Sequence, residues 1–167
     1  MRFQSIVIIL IFFSCTTEKK RVSDTADKKE LIGMWQDSPE IASGYTDYYK
    51  FFDNGDFSFN YNEMICDKRT IDYSGTWELM TSDDLRLTIK KKTIVVGGKL
   101  VSTEGAGSCA SEFQIEGGEV KTIELKYFET QDIKLSFITV DSEKRDLKTR
   151  TFDKRQFWKL RDDPAPY

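Results

Sequence analysis

Leu31-Ile32-Gly33-Met34-Trp35 ends a polar stretch and opens a series of short segments in which apolar and polar residues alternate. Gly33 lets a neighbouring backbone or ring approach closely, and Trp35 is large enough to close one end of a small barrel. A second Gly-x-Trp, Gly75-Thr76-Trp77, recurs mid-chain, and Trp158 stands in the last apolar run. Tryptophans thus mark the start, middle and end of one β-rich unit. The arrangement predicts an antiparallel sheet, closed or nearly closed, whose first and last strands meet.

Working outward, Phe57, Phe59 and Tyr61 alternate with Ser58, Asn60 and Asn62, which puts an aromatic face and a polar face on one strand. Asn54-Gly55 before it suits a tight hairpin, with Tyr48 to Phe52 as the partner strand. Ile71, Tyr73, Gly75, Trp77 and Leu79 share one side of the next strand, and Leu85, Leu87 and Ile89 one side of the strand after it. Turns are expected at 81–84, at Glu116-Gly117-Gly118-Glu119 and at Thr130-Gln131-Asp132. Between the later turns, Ile123, Leu125 and Tyr127 line up on one face, as do Ile133, Leu135 and Phe137 beyond them. Strands at 147–152 and 156–160, separated by Asp153-Lys154-Arg155, complete about eight to ten strands with no amphipathic helix. Two architectures satisfy the pattern: an up-and-down barrel, which removes exposed sheet edges, and a two-sheet sandwich.

The segment 92–113 breaks the alternation, with four glycines, three serines and Cys109. It reads as a long hairpin with an irregular tip pinned by Cys109, the alternative being a flap over the barrel mouth. Gly105-Ala106-Gly107-Ser108 lacks the strand-to-helix context of a phosphate loop. Lys90-Lys91-Lys92 and Asp67-Lys68-Arg69 read as solvated turns or edges, and Asp83-Asp84 as a turn.

Composition narrows the chemistry. The chain has 167 residues, enough for one domain with a core of its own. With 25 basic against 28 acidic side chains, interspersed along the strands, no basic face for nucleic acid is expected. Histidine is absent, which excludes Ser-His-Asp and Cys-His nucleophile systems and imidazole-based zinc sites. No carboxylate, lysine or tyrosine pair stands out as an acid–base couple. The reading is therefore non-enzymatic, with no catalytic residue, cofactor or metal assigned.

At the N-terminus, Arg2 precedes the apolar run Ile6 to Phe13, too short to span a bilayer, which needs roughly 20 apolar residues. The end of that run, Phe12-Phe13-Ser14-Cys15, resembles the lipobox of bacterial lipoproteins, with phenylalanine where leucine is usual. The resemblance implies a signal peptide over 1–14 and a diacylglyceryl-modified Cys15 inserted in the lipid bilayer. The stretch 15–30 is then a polar tether. Its Thr16-Thr17-Glu18-Lys19 is unlike an acidic surface-export signal, so the expected place is the cell envelope, on the outer membrane facing the periplasm. Setting Cys15 aside leaves Cys66 and Cys109 as an even pair in an oxidising compartment. A disulfide is expected between them, two unpaired thiols being the alternative. It would close a loop of 109 − 66 = 43 residues.

The unit from 31 to 161, ahead of a short tail at 162–167, resembles the lipocalin-like lipoproteins of bacteria, small barrels of the calycin group. Leu31-x-Gly33-x-Trp35 looks like their opening motif, Phe52-x-x-Gly55-x-Phe57 like the second hairpin, and Gly75-x-Trp77-x-Leu79 with Leu85-x-Leu87 like the middle pair. The resemblance implies that Gly33 and Trp35 close the barrel base, with Arg155 or Arg161 stacked on the tryptophan. It also implies a binding role for a small apolar or amphipathic ligand. Candidate lining residues are Phe57, Phe59, Tyr61, Tyr73, Trp77, Tyr127 and Phe137. A barrel of this width is either hollow or filled by these same side chains. A filled barrel leaves the loops, and 92–113 above all, as a surface for an envelope protein.

Overall fold

The computed structural model describes residues 24–104 and 109–165, so Cys15, the signal segment and Gly105-Ala106-Gly107-Ser108 lie outside the described residues. A short helix, α1 (Asp24–Leu31), precedes nine strands. They are β1 (Gly33–Gln36), β2 (Tyr48–Phe51), β3 (Asp56–Asn60), β4 (Thr70–Thr81), β5 (Asp84–Ser102), β6 (Phe113–Lys134), β7 (Thr139–Asp141), β8 (Leu147–Phe152) and β9 (Arg155–Arg161). All lie in one antiparallel sheet, in the order β6-β5-β4-β3-β2-β1-β9-β8-β7. The first and last strands do meet, β1 pairing with β9. The ladder does not close on itself. A single bridge, Leu135 to Phe152, brings the chain just beyond β6 against β8, flanked by Ser136 N–H to the Thr151 carbonyl at 3.2 Å and Asp153 N–H to that of Lys134 at 2.7 Å.

One core fills the concave side. Trp35, Phe51, Phe57, Leu85, Leu87, Ile133 and Phe157 are almost wholly shielded from solvent, and Tyr49, Phe59, Tyr73, Trp77 and Phe152 join them. The inward set follows the period-two alternation, because residues two apart on a strand share a face.

Both Gly-x-Trp motifs mark places where strands crowd. A Cβ on Gly33 would strike the Arg161 carbonyl of β9, and one on Gly75 would strike the Thr88 carbonyl of β5. At each site the register slips, between Met34 and Trp35 on β1 and between Ser74 and Gly75 on β4. The glycine permits the bulge and the tryptophan two residues on turns inward.

Several expected boundaries are corrected. Residues 24–30 of the expected tether are helical, and Leu31 at the helix end is buried. The expected tail begins as part of the fold, with Pro164 buried. Neither 116–119 nor 130–132 is a turn; both lie inside β6, which pairs with β5 from Asp84↔Lys134 to Ser102↔Phe113. Gly117-Gly118 had imitated a turn: Gly97 sits opposite Gly118, and Gly97, Gly98 and Gly117 have φ near +70° (71°, 72° and 70°), which bends the ribbon without ending it. Lys90-Lys91-Lys92 is likewise strand, although β5 slips register at Lys90 against both neighbours.

That slip also corrects two site residues. On β6 the partners of Ile89 and Lys91 are Glu129 and Glu124, so residues 125–128 bulge out of the ladder. Tyr127, expected inside, is 79% exposed as a result. Phe137, 82% exposed, lies past the end of β6, where the alternation no longer has a sheet to follow.

Past the Thr70↔Ile94 pair, β5 and β6 leave β4 and run on as a two-stranded ribbon. The Cys66–Cys109 disulfide ties its tip to the 61–69 loop, as expected, with a Cα–Cα distance of 5.7 Å. Ala110 N–H to the Met64 carbonyl (2.7 Å) and Ile115 N–H to that of Cys66 (3.1 Å) reinforce the tie. The segment is therefore a pinned hairpin.

Candidate ligand-binding site

The side chains that face inward from β2, β3 and β4 divide into levels. Tyr49, Phe59 and Tyr73 occupy one rung, paired strand to strand, and Phe51 with Phe57 occupy the next, with Trp77 beyond them. The level of Phe51, Phe57 and Trp77 is solid. Phe51 meets the Trp77 ring edge-on with centroids 5.4 Å apart, and Trp77 Nε1 donates to the Phe52 carbonyl at 3.0 Å. Helix α1 is anchored here: Lys28 Nζ lies 5.3 Å from the Trp77 ring centroid, and Trp35 Nε1 donates to the Leu31 carbonyl at 2.8 Å. The cation over the Trp35 ring is Lys159, at 5.8 Å, a residue that the sequence reading did not consider; Arg155 stacks on Phe157 instead, at 5.3 Å. Lys159 is buried with full compensation, donating to the Glu30 carbonyl at 2.9 Å and pairing with Asp162 at 2.6 Å.

The Tyr49 level borders open space. A cavity of about 480 Å³ opens there, walled by Tyr49, Phe59, Tyr61, Tyr73, Phe152 and Phe157, with Ile133 and Gln131 from β6 and Asp153-Lys154-Arg155 from the β8–β9 turn. That volume falls within the range of about 300–1,000 Å³ typical of small-molecule sites. The wall is a continuous aromatic surface. Ring centroids are 4.4 Å apart for Tyr49–Phe59, 4.9 Å for Phe59–Tyr73, 5.3 Å for Tyr49–Phe157 and 5.0 Å for Phe152–Phe157. Tyr61 meets Phe59 edge-on at 4.8 Å and carries Lys68 over its ring at 4.2 Å. It also borders a second, smaller cleft of about 210 Å³ between the 61–69 loop and Val95.

No protein-family model, curated protein or solved structure matches this chain.

The polar groups of the cavity are few. Burial pushes the Tyr49 phenol up to about 12 and raises that of Tyr73 as well. Both remain neutral donors at any physiological pH. Arg155 is held by Asp47 at 2.9 Å and by Asp37, so its charge is spent inside the protein. No cluster of three or more metal-ligating side chains occurs among the described residues.

Of the seven expected lining residues, the structure therefore brings Phe59, Tyr61 and Tyr73 together on the cavity. Phe57 and Trp77 belong to the solid level, and Tyr127 and Phe137 face solvent. Tyr49, Phe152 and Phe157 were missed. Tyr49 had a signal, since alternation with Phe51 and the Asn54-Gly55 hairpin pair it with Phe59. Phe152 and Phe157 had none, because charged residues interrupt the alternation of their strands, Leu147–Phe152 and Arg155–Arg161.

Proposed function

We propose that the chain is a membrane-anchored lipoprotein of the bacterial envelope whose sheet acts as a lipocalin-like barrel and binds a small apolar or amphipathic molecule without chemistry. The aromatic cavity at the Tyr49–Phe59–Tyr73 level carries this reading. A barrel of about eight strands has room for one small ligand, and here the opposite level is packed while this one is open. The contact of Leu135 with Phe152 supports curvature toward closure, since it draws the chain just beyond the edge strand β6 against β8, the neighbour of the other edge strand. Acylation at Cys15 and a position on the outer membrane facing the periplasm rest on the lipobox-like Ser14-Cys15.

A second reading, a module for an envelope protein partner, is favoured by one observation: Leu100, Phe113 and Val120 are exposed along the β5–β6 ribbon, as are Tyr127 and Phe128 in the bulge of β6. Native mass spectrometry of the full-length chain extracted in mild detergent separates the two. Ligand binding predicts an adduct that is lost on denaturation, with a diacylglyceryl mass remaining on Cys15. A bare chain that shows no thermal shift with fatty acids, isoprenoids or aromatic compounds contradicts it and favours the ribbon.

A further inference from the structure

β6 is an edge of the sheet and, at 22 residues, its longest strand. Toward its end the outer side is taken: the Lys134 carbonyl accepts from Asp153 N–H at 2.7 Å, and Lys134 N–H donates to the Asp153 carboxylate at 2.9 Å. Further back, among the described residues, no strand other than β5 pairs with it. Between Glu124 and Glu129 the chain leaves the β5 ladder too, and Tyr127 and Phe128 stand 79% and 60% exposed there. Such an edge is a template for another strand.

Charge specifies which strand fits. Along Lys121-Thr122-Ile123-Glu124-Leu125-Lys126-Tyr127-Phe128-Glu129 the signs run plus, minus, plus, minus, and read backwards every sign is inverted. Laid antiparallel on a second copy about a two-fold axis at Leu125, Lys121 faces Glu129, Glu124 faces Lys126, and no like charges meet. Opposite charges directly across two strands stabilise the pairing and like charges oppose it. Moving the axis to Glu124 or to Lys126 sets that residue against its own copy, so the neighbouring registers are penalised. The glutamates already pair with β5, Glu124 with Lys91 at 3.0 Å and Glu129 with Lys92 at 2.6 Å. The lysines of the stretch have no ion pair on another strand among the described residues: Lys121 meets Glu119 of its own strand at 2.8 Å, and Lys126 lies 5.5 Å from the Tyr127 ring centroid.

We infer that the edge of β6 from Lys121 to Glu129 binds a second copy of this chain, the two edges pairing antiparallel into one continuous sheet. The sheet of each copy is complete without the other, so the association is reversible and depends on concentration. It does not rest on the ligand-binding reading.

Charge exchange tests it, with the mass of the full-length chain read by native mass spectrometry in mild detergent, the chain kept far scarcer than micelles. The unmodified chain should give a dimer. Each dimer holds the Glu124–Lys126 contact twice, so Glu124→Lys and Lys126→Glu should each weaken dimerisation about tenfold by setting like charges face to face at both contacts. Mixing the two single variants restores opposite charges at both contacts and should give a one-to-one heterodimer, which also shows that both variants are folded. The double variant Glu124→Lys/Lys126→Glu should dimerise like the unmodified chain. An unmodified chain that stays monomeric across a concentration series overturns the inference. So does a dimer that survives both single substitutions, since its contact lies elsewhere, and so do single variants that stay apart when mixed.

Discussion

Gly33 and Gly75 show at the scale of single residues why the Gly-x-Trp motif is repeated. Each stands where the neighbouring strand's carbonyl leaves no room for a Cβ, and Gly33 adds a φ of +130° that side chains avoid. Gly75→Ala should therefore cost about 3 kcal/mol, since the atom it meets is backbone and cannot swing away, and Gly33→Ala at least as much. Urea unfolding measures both; losses below about 0.5 kcal/mol would mean that the strands are not in contact there. Tyr49 supplies a second residue-scale outcome. Its folded-state phenol ionises near pH 12 against 10.0 in the unfolded chain. Between those values the unfolded state has lost a proton that the folded state retains. The contribution is thus complete below pH 10 and disappears as pH rises through 12, about 3 kcal/mol in all. Stability should fall across that window, and Tyr49→Phe should flatten the fall. A wild-type profile that stays level through pH 12 would place Tyr49 in water.

Among the elements, the strands legible in the sequence were those with clean alternation. β3, β4 and the start of β5 were read correctly, since Phe57, Phe59, Tyr73, Trp77, Leu85 and Leu87 all point inward. The long β6 was not, because Gly117-Gly118 and Thr130-Gln131-Asp132 have the composition of turns, and only the partner strand shows that Gly97-Gly98 bends with Gly117-Gly118. Helix α1 left no periodic trace, since Leu31 alone among its described side chains is buried. Tyr127 and Phe137 were misplaced by extending one register across a bulge and past a strand end. Their replacement by serine should leave stability within about 0.5 kcal/mol of the parent, as measured by urea unfolding; a larger loss would return them to the core. The disulfide spans 43 residues, for which chain entropy gives up to about 4 kcal/mol. Converting both Cys66 and Cys109 to serine should lower stability toward that limit. Hydrogen exchange should rise first in 61–69 and in the ribbon beyond Ile94; uniform acceleration through β1 to β4 would show that the tie supports the core as well.

For the whole molecule, the account is of a sheet curved around one core, packed solid beneath α1 and open where Tyr49, Phe59 and Tyr73 form a rung. The sequence left filled and hollow interiors as alternatives; the rings of the Tyr49 level belong to the packed core, and a cavity of about 480 Å³ borders them. Alternation identifies which residues face inward but not whether facing rings touch across the space, which depends on how far the strands curve. The most direct test is an NMR titration of the full-length chain in nanodiscs, with tyrosine and phenylalanine rings carbon-13 labelled, against 2-acetylnaphthalene. The account predicts that shifts concentrate on Tyr49, Phe59, Tyr61, Tyr73, Phe152 and Phe157 while Phe57, Tyr127 and Phe137 stay still. Shifts confined to Tyr127, Phe128 and Phe137, or none at all, would contradict it.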